Sequence, residues 1–222
     1  MVLHHGLGAD LEVWRPQIEH LRRSRRVLAF DMRGHGRSPK AREYSVAAVV
    51  ADLHEVTADL PRFWLIGHSF AGVVLTEYAG WHPDRVHGLV YVDALGDASN
   101  PPEEIRQYFR THDADMTAER LQQAFTEMLG PLARPETKRQ VLQSVARMDV
   151  PAFAALRASM LEVAPPRPFA GPKFAIGAEG PANPRMASYL PGVERRTIPG
   201  VSHWLMLDDP AALNRALDEV LQ

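Results

Sequence analysis

F-W-L-I-G-H-S-F-A-G, residues 63–72, runs an apolar stretch straight into a turn of small residues and on into a helical segment. An apolar run ended by glycine reads as a buried strand, and the residues from Phe70 to Trp81 read as the helix that follows it. A strand that passes into a helix through so short a turn strains the residue at its apex. That residue is Ser69, and its hydroxyl is lifted above the sheet. Gly67 and Ala71 flank it where a larger side chain would collide as strand and helix nearly touch. An ordinary strand–turn–helix junction has a similar composition, so the meaning of Ser69 depends on its surroundings.

Those surroundings carry chemistry. Upstream, V-L-H-H-G-L-G (residues 2–8) is a strand over Val2–His4 that ends in a glycine-rich loop. Such a loop can aim a backbone N–H at a developing negative charge, and the amides of Leu7 and Phe70 would form a pair of donors. Next comes a strand over Arg26–Phe30 followed by D-M-R-G-H-G-R-S, residues 31–38. Near the other end, I-P-G-V-S-H-W (residues 198–204) places His203 in a loop after a strand over Arg195–Ile198. A serine hydroxyl is a weak nucleophile that needs an imidazole to take its proton, and the imidazole needs a carboxylate to fix its tautomer.

Short apolar runs alternate with helical stretches throughout, the pattern of a mainly parallel sheet flanked by helices. Further strands are expected over Gly88–Val92 and Lys173–Ile176, and helices over Leu11–Arg23, from Ser45 as N-cap to Asp59, and from Pro210 onward behind Asp208 and Asp209. The strands are expected to be buried on both faces. From residue 97 to 168 the rhythm breaks into helices alone, around Glu103–Thr111, Thr117–Leu129, Pro135–Met148 and Pro151–Val163. Proline-rich joints bracket this stretch. It reads as a helical cap inserted into a core made of residues 1–96 and 169–222.

The order H-G-x-G, D-x-R-G-x-G-x-S, G-x-S-x-A-G and a late G-x-S-H resembles the α/β-hydrolase superfamily, most of all its small, cofactor-free, esterase-like members with a helical cap. The resemblance implies Ser69 as nucleophile, His203 as base, Leu7 and Phe70 as oxyanion donors, and no cofactor. In that family the acid usually sits in a G-x-x-D turn after the penultimate strand, but here the slot three after Gly177 is Gly180. Asp93, at the end of the strand after the nucleophile, is the favoured acid, with Glu179 the alternative. The family's N-terminal strands, which normally precede the H-G strand, are missing from this sequence. The strand Arg26–Phe30 is therefore expected at the sheet edge, with dimerisation or reduced stability as the consequence.

The expected reaction is hydrolysis of small, fairly apolar carboxylic esters through an acyl-enzyme. A lactonase, a carbon–carbon bond hydrolase, a lyase using the same residues and a non-catalytic ligand-binding protein are the alternatives. Dehalogenase and epoxide-hydrolase chemistry is disfavoured, because those members of the family carry an aspartate where this chain has Ser69. His68, Trp204, Met128 and Phe125 are the candidate pocket residues, and Asp31, Arg33 and Arg37 are expected to hold their loop together.

Composition narrows the field. A formal net charge of −2 gives no field to gather nucleic acid or an anionic membrane surface. The absence of cysteine excludes disulfides, thiolate nucleophiles and thiolate metal sites. No stretch has the apolar length of a membrane span, and the first residues lack the pattern of a signal peptide, so a cytoplasmic location is the default expectation. The ten histidines contain no helical H-E-x-x-H pair, so no catalytic metal is expected.

Overall fold

The structure is a computed structural model that describes residues 1–180 and 191–222. Six parallel strands form one sheet: β1 (Val2–His4), β2 (Leu28–Phe30), β3 (Phe63–His68), β4 (Val86–Val92), β5 (Lys173–Ala178) and β6 (Val193–Ile198), in the spatial order β2-β1-β3-β4-β5-β6. Each expected strand is present. Five of them begin or end two residues away from the sequence expectation, because ladder pairing rather than composition sets their ends. β3 and β4 are largely buried, as expected of strands covered on both faces. β6 departs from that expectation, since Glu194, Arg195 and Thr197 are exposed on a strand with a single neighbour. β2 lies at the opposite edge with its three residues only half-buried.

Among the described residues, helices fill the crossovers between β1 and β5 that parallel strands require, and two more follow β6. They are α1 (Arg15–Leu21), α2 (Val46–Val56), α3 (Ala71–Trp81), α4 (Glu103–Asp113), α5 (Ala118–Leu129), α6 (Pro135–Val145), α7 (Val150–Met160), α8 (Leu205–Asp208) and α9 (Pro210–Val220). Ser45 caps α2 as its sequence position predicts, its hydroxyl accepting from the Ala48 amide at 3.1 Å. Asp209 does the same for α9 through the Ala212 amide at 2.9 Å. The single helix expected over Leu11–Arg23 is instead a 3₁₀ turn, Leu11–Trp14, followed by α1. Pro16 lies in the first turn of α1, where its missing N–H is harmless, and so it marks a new start rather than the middle of a helix.

Helices α4 to α7 occupy the chain between β4 and β5, and no strand lies within that stretch. α5, α6 and α7 each present an apolar stripe inward, Leu121, Phe125 and Leu129 from α5, Val141 and Val145 from α6, Phe153 and Leu156 from α7, while Asp113 is the buried residue of α4. Strand register aligns the carboxyl ends of the sheet: His4 faces Gly67, His68 faces Val92, Val92 faces Ile176 and Ala178 faces Ile198. The loops after β1, β3, β4, β5 and β6 therefore leave from one end of the sheet, the end where ligands gather in open α/β folds. No helix among the described residues is long and apolar enough to cross a membrane.

Candidate active site

The sharpest feature of that end of the sheet is backbone strain. Among the described residues, the non-glycine positions with positive φ are Ser69 at 55° and Asp93 at 42°. Each costs of order 1–2 kcal/mol for an L-residue and persists only where the surroundings hold it. Ser69 is held from both sides: its N–H donates to Val92 O at 3.2 Å, and its carbonyl accepts from the Gly72 amide at 3.0 Å. Close packing fixes the turn further. A Cβ on Gly67 would stand 2.8 Å from Leu75 Cδ1 and 3.0 Å from Ala71 Cβ, while one on Gly72 would stand 2.2 Å from the Leu95 carbonyl oxygen. The small residues of residues 67–72 are thus required by the approach of α3 to β3 and to the loop after β4.

Asp93 is 1% exposed, and its N–H donates to Ile176 O at 2.9 Å. Its Oδ1 accepts from the Ala178 amide at 3.2 Å, and its Oδ2 lies 2.6 Å from His203 Nδ1. His203 Nε2 in turn lies 2.9 Å from Ser69 Oγ. A carboxylate only accepts, so Nδ1 carries the proton and the lone pair of Nε2 faces the serine O–H. An imidazole so held can draw a proton from the hydroxyl while the buried carboxylate stabilises the positive charge that results. Glu179, the alternative acid, is exposed; its backbone N–H donates to Ile198 O at 2.9 Å.

Gly6 brings the loop after β1 against the serine, since a Cβ there would stand 2.8 Å from Ser69 Cβ. Leu7 and Phe70 line the same cavity as Ser69 and His203, and neither backbone N–H is committed to another group among the described residues. The cavity measures about 280 Å³. Of the four candidate pocket residues, Trp204, Met128 and Phe125 line it, and His68 does not. The His68 ring packs against that of His203, centroids 4.4 Å apart, and its Nε2–H donates to the His203 carbonyl at 2.9 Å. It steadies the loop instead of facing a ligand.

Residues 1–146 match the family described as alpha/beta hydrolase fold. The chain belongs to the alpha/beta hydrolase fold family. The matched stretch holds Ser69 and Asp93, whereas His203 lies beyond it. The pimeloyl-acyl-carrier-protein methyl ester esterase of Edwardsiella ictaluri (strain 93-146) is 39% identical over 94 residues, which are 41% of this chain and 35% of that protein. Alignments to curated relatives span between 25% and 37% of those proteins' lengths. Among solved structures, a thermophilic esterase from Thermogutta terrifontis superposes with a TM-score of 0.82 at 24% identity, covering 99% of this chain and 88% of that one. The enol-lactonase from Burkholderia xenovorans LB400 superposes with a TM-score of 0.81 at 21% identity, covering 99% and 90%. At these identities the two structures speak for the hydrolase fold alone.

Two buried aspartates tie the helical stretch to the loops of this alpha/beta hydrolase site. Asp10, 3% exposed, accepts from Ser144 Oγ of α6 at 2.9 Å and pairs with Arg147. Asp208, fully buried, accepts from the Arg134 amide at 3.0 Å and from the Ser202 amide, beside His203, at 2.8 Å. Nothing local marked either role, because Asp10 and Ser144 are 134 positions apart in sequence. Asp31, by contrast, behaves as its motif suggested: its carboxylate accepts from the Leu11 and Arg37 amides at 2.8 and 2.9 Å.

The cavity also holds a charge that the sequence did not announce. Arg157 of α7 lines it among Phe109, Phe125 and Phe153. Burial pushes the Arg157 guanidinium down from its usual value, while Asp113 and Tyr108 push it back up, and it stays charged. No group of three or more His, Asp or Glu among the described residues is arranged to hold a metal ion.

Proposed function

We propose that this chain is a serine hydrolase of small carboxylic esters that works through an acyl-enzyme. Ser69 Oγ attacks the ester carbonyl carbon as His203 Nε2 takes its proton. The amides of Leu7 and Phe70 receive the negative charge that develops on the carbonyl oxygen. When the tetrahedral species collapses, His203 returns the proton to the departing alkoxide, leaving an acyl group on Ser69. Water then attacks that acyl group with His203 again as base, releasing the acid and restoring the hydroxyl. Asp93 holds the imidazole tautomer throughout, and no cofactor takes part. Helices α4 to α7 act as the cap that shapes the acyl or alcohol pocket.

The observation that carries this reading is the unbroken chain Ser69 Oγ, His203 Nε2, His203 Nδ1, Asp93 Oδ2, with contacts of 2.9 and 2.6 Å at the floor of an aromatic cavity. The paired strain at Ser69 and Asp93 supports catalysis over simple ligand binding, since nothing in passive binding requires strain at both. Turnover of short-chain p-nitrophenyl esters tests it. Hydrolysis should follow saturation kinetics and fall by about 10⁴-fold or more in Ser69→Ala. Hydrolysis unchanged in that variant would refute the assignment. A panel of lactones run beside the esters reads the lactonase alternative.

A further inference from the structure

Arg157 is 9% exposed, yet it belongs to the wall of the cavity that contains Ser69 and His203. Its guanidinium carbon lies 3.9 Å from the centre of the Phe109 ring, 4.9 Å from that of Phe153 and 5.7 Å from that of Tyr108. Three aromatic faces thus hold the plane of the cation in place. From behind, Nε stands 3.1 Å from Asp113 Oδ2, a carboxylate 7% exposed. That contact is ionic without hydrogen-bond alignment on either atom. A guanidinium has five N–H donors, and among the described residues the acceptor standing against it is Asp113, met through Nε, so donors remain for another acceptor.

Among the described residues no carboxylate lines the cavity, so Asp113 offsets the burial of the cation without occupying the cavity itself. A buried guanidinium is costly, and a tie between α4 and α7 alone is served as well or better by apolar packing. A cation kept at the wall of a cavity lined mainly by aromatic, leucine and methionine side chains is matched to a planar anion that accepts two parallel N–H bonds.

We propose that Arg157 is a specificity-determining residue that receives a free carboxylate on the substrate, so that the preferred ester is the half-ester of a dicarboxylic acid, or an ester otherwise bearing a carboxylate away from the scissile bond. The inference deepens the ester-hydrolase reading and rests on it for the identity of the reacting bond. The aromatic walls take the methylene chain, and the fork of Arg157 sets which end points away from Ser69.

Monomethyl adipate and dimethyl adipate have the same length and differ by one negative charge, so they isolate this effect. Calorimetric titration of Ser69→Ala, which binds without turnover, should show the half-ester bound at least about tenfold more tightly. In Ser69→Ala/Arg157→Gln that preference should vanish, and Arg157→Lys should restore part of it. In the otherwise wild-type enzyme, Arg157→Gln should raise KM for the half-ester about tenfold or more beyond whatever change it makes to KM for the diester. Equal binding of the two esters by Ser69→Ala, or equal losses on both in Arg157→Gln, would overturn the proposal and leave Arg157 a tie between α4 and α7. If Arg157→Gln does not fold, as thermal melting would reveal, the comparison within Ser69→Ala decides alone. Failure of the hydrolase reading is distinguishable, for it would appear as an unreactive Ser69 whatever the charge preference.

Discussion

Ser69 and Asp93 share an uncommon backbone state, and each borrows its support from the neighbouring strand. Position 69 was legible because a nucleophile turn must be built from small residues within a few positions. The acid was not, because a carboxylate at the end of β4 and one after β5 both leave the sheet at the end occupied by His203. The choice depends on which carboxylate turns inward. Asp93 is short, buried and 2.6 Å from Nδ1, while Glu179 is exposed. Removing the inward charge leaves an imidazole whose tautomer is no longer fixed. Asp93→Asn should therefore lower kcat by about 10⁴-fold, whereas Glu179→Gln should stay within about threefold of wild type. Steady-state kinetics on one p-nitrophenyl ester compares them, and the reverse ranking would exchange their roles.

The elements around the site owe their positions to contacts that no short stretch of sequence encodes. The existence of the strands and of most helices followed from alternating composition, and the caps at Ser45 and Asp209 followed from local chemistry. The sequence places Asp208 with Asp209 in an acidic cap before Pro210, yet Asp209 is the residue that caps. Asp208 turns inward to accept two amides, one from the helical stretch and one beside His203. His68 was read as facing the pocket, and the fold uses it to hold the His203 carbonyl. Arg157 sat in an apolar helix with nothing to mark its direction, and only the packing of α4 against α7 sets it into the cavity. Asp208→Ala leaves the buried Ser202 N–H without its acceptor, which costs about 1–3 kcal/mol, and frees the more exposed Arg134 N–H as well. Urea unfolding should show a loss of about 3 kcal/mol together with a lower kcat, because the loop carrying His203 loses its anchor. A loss below about 1 kcal/mol with unchanged kcat would mean that the α8 loop is anchored by other contacts.

The molecule as a whole also carries a built-in sensitivity to acid. His4, His5 and His35 are buried together around the loop after β1, with His5 and His35 ring centres 5.4 Å apart. His5 Nε2 accepts from the Met32 amide at 2.9 Å, which only a neutral imidazole can do. Burial, reinforced by the neighbouring histidines, holds His4 down at about 3 and His5 and His35 at about 4; Asp10, Asp31, Asp52 and Asp149 oppose this only in part. All three stay neutral in the folded chain at pH values where the unfolded chain, titrating near 6.5, takes up protons. Their contribution is whole above about pH 6.5 and is lost as pH falls from there toward 4. Each histidine then costs about 1.4 kcal/mol per pH unit. The folding free energy should fall by about 4 kcal/mol between pH 7 and pH 5.5, a large part of the roughly 5–15 kcal/mol of an ordinary domain. Denaturant titrations across that range should show the slope, and His35→Asn should reduce it by about a third; a flat profile would contradict the neutral cluster.

The proposed function rests on one hydroxyl, that of Ser69, being activated above the carboxyl ends of the sheet. Intact-mass and peptide mass spectrometry after incubation with a fluorophosphonate tests that most directly. A single adduct on the peptide carrying Ser69, absent in Ser69→Ala and strongly slowed in His203→Gln, is the predicted result. An unlabelled protein, or an adduct formed equally well without the His203 imidazole, would contradict it.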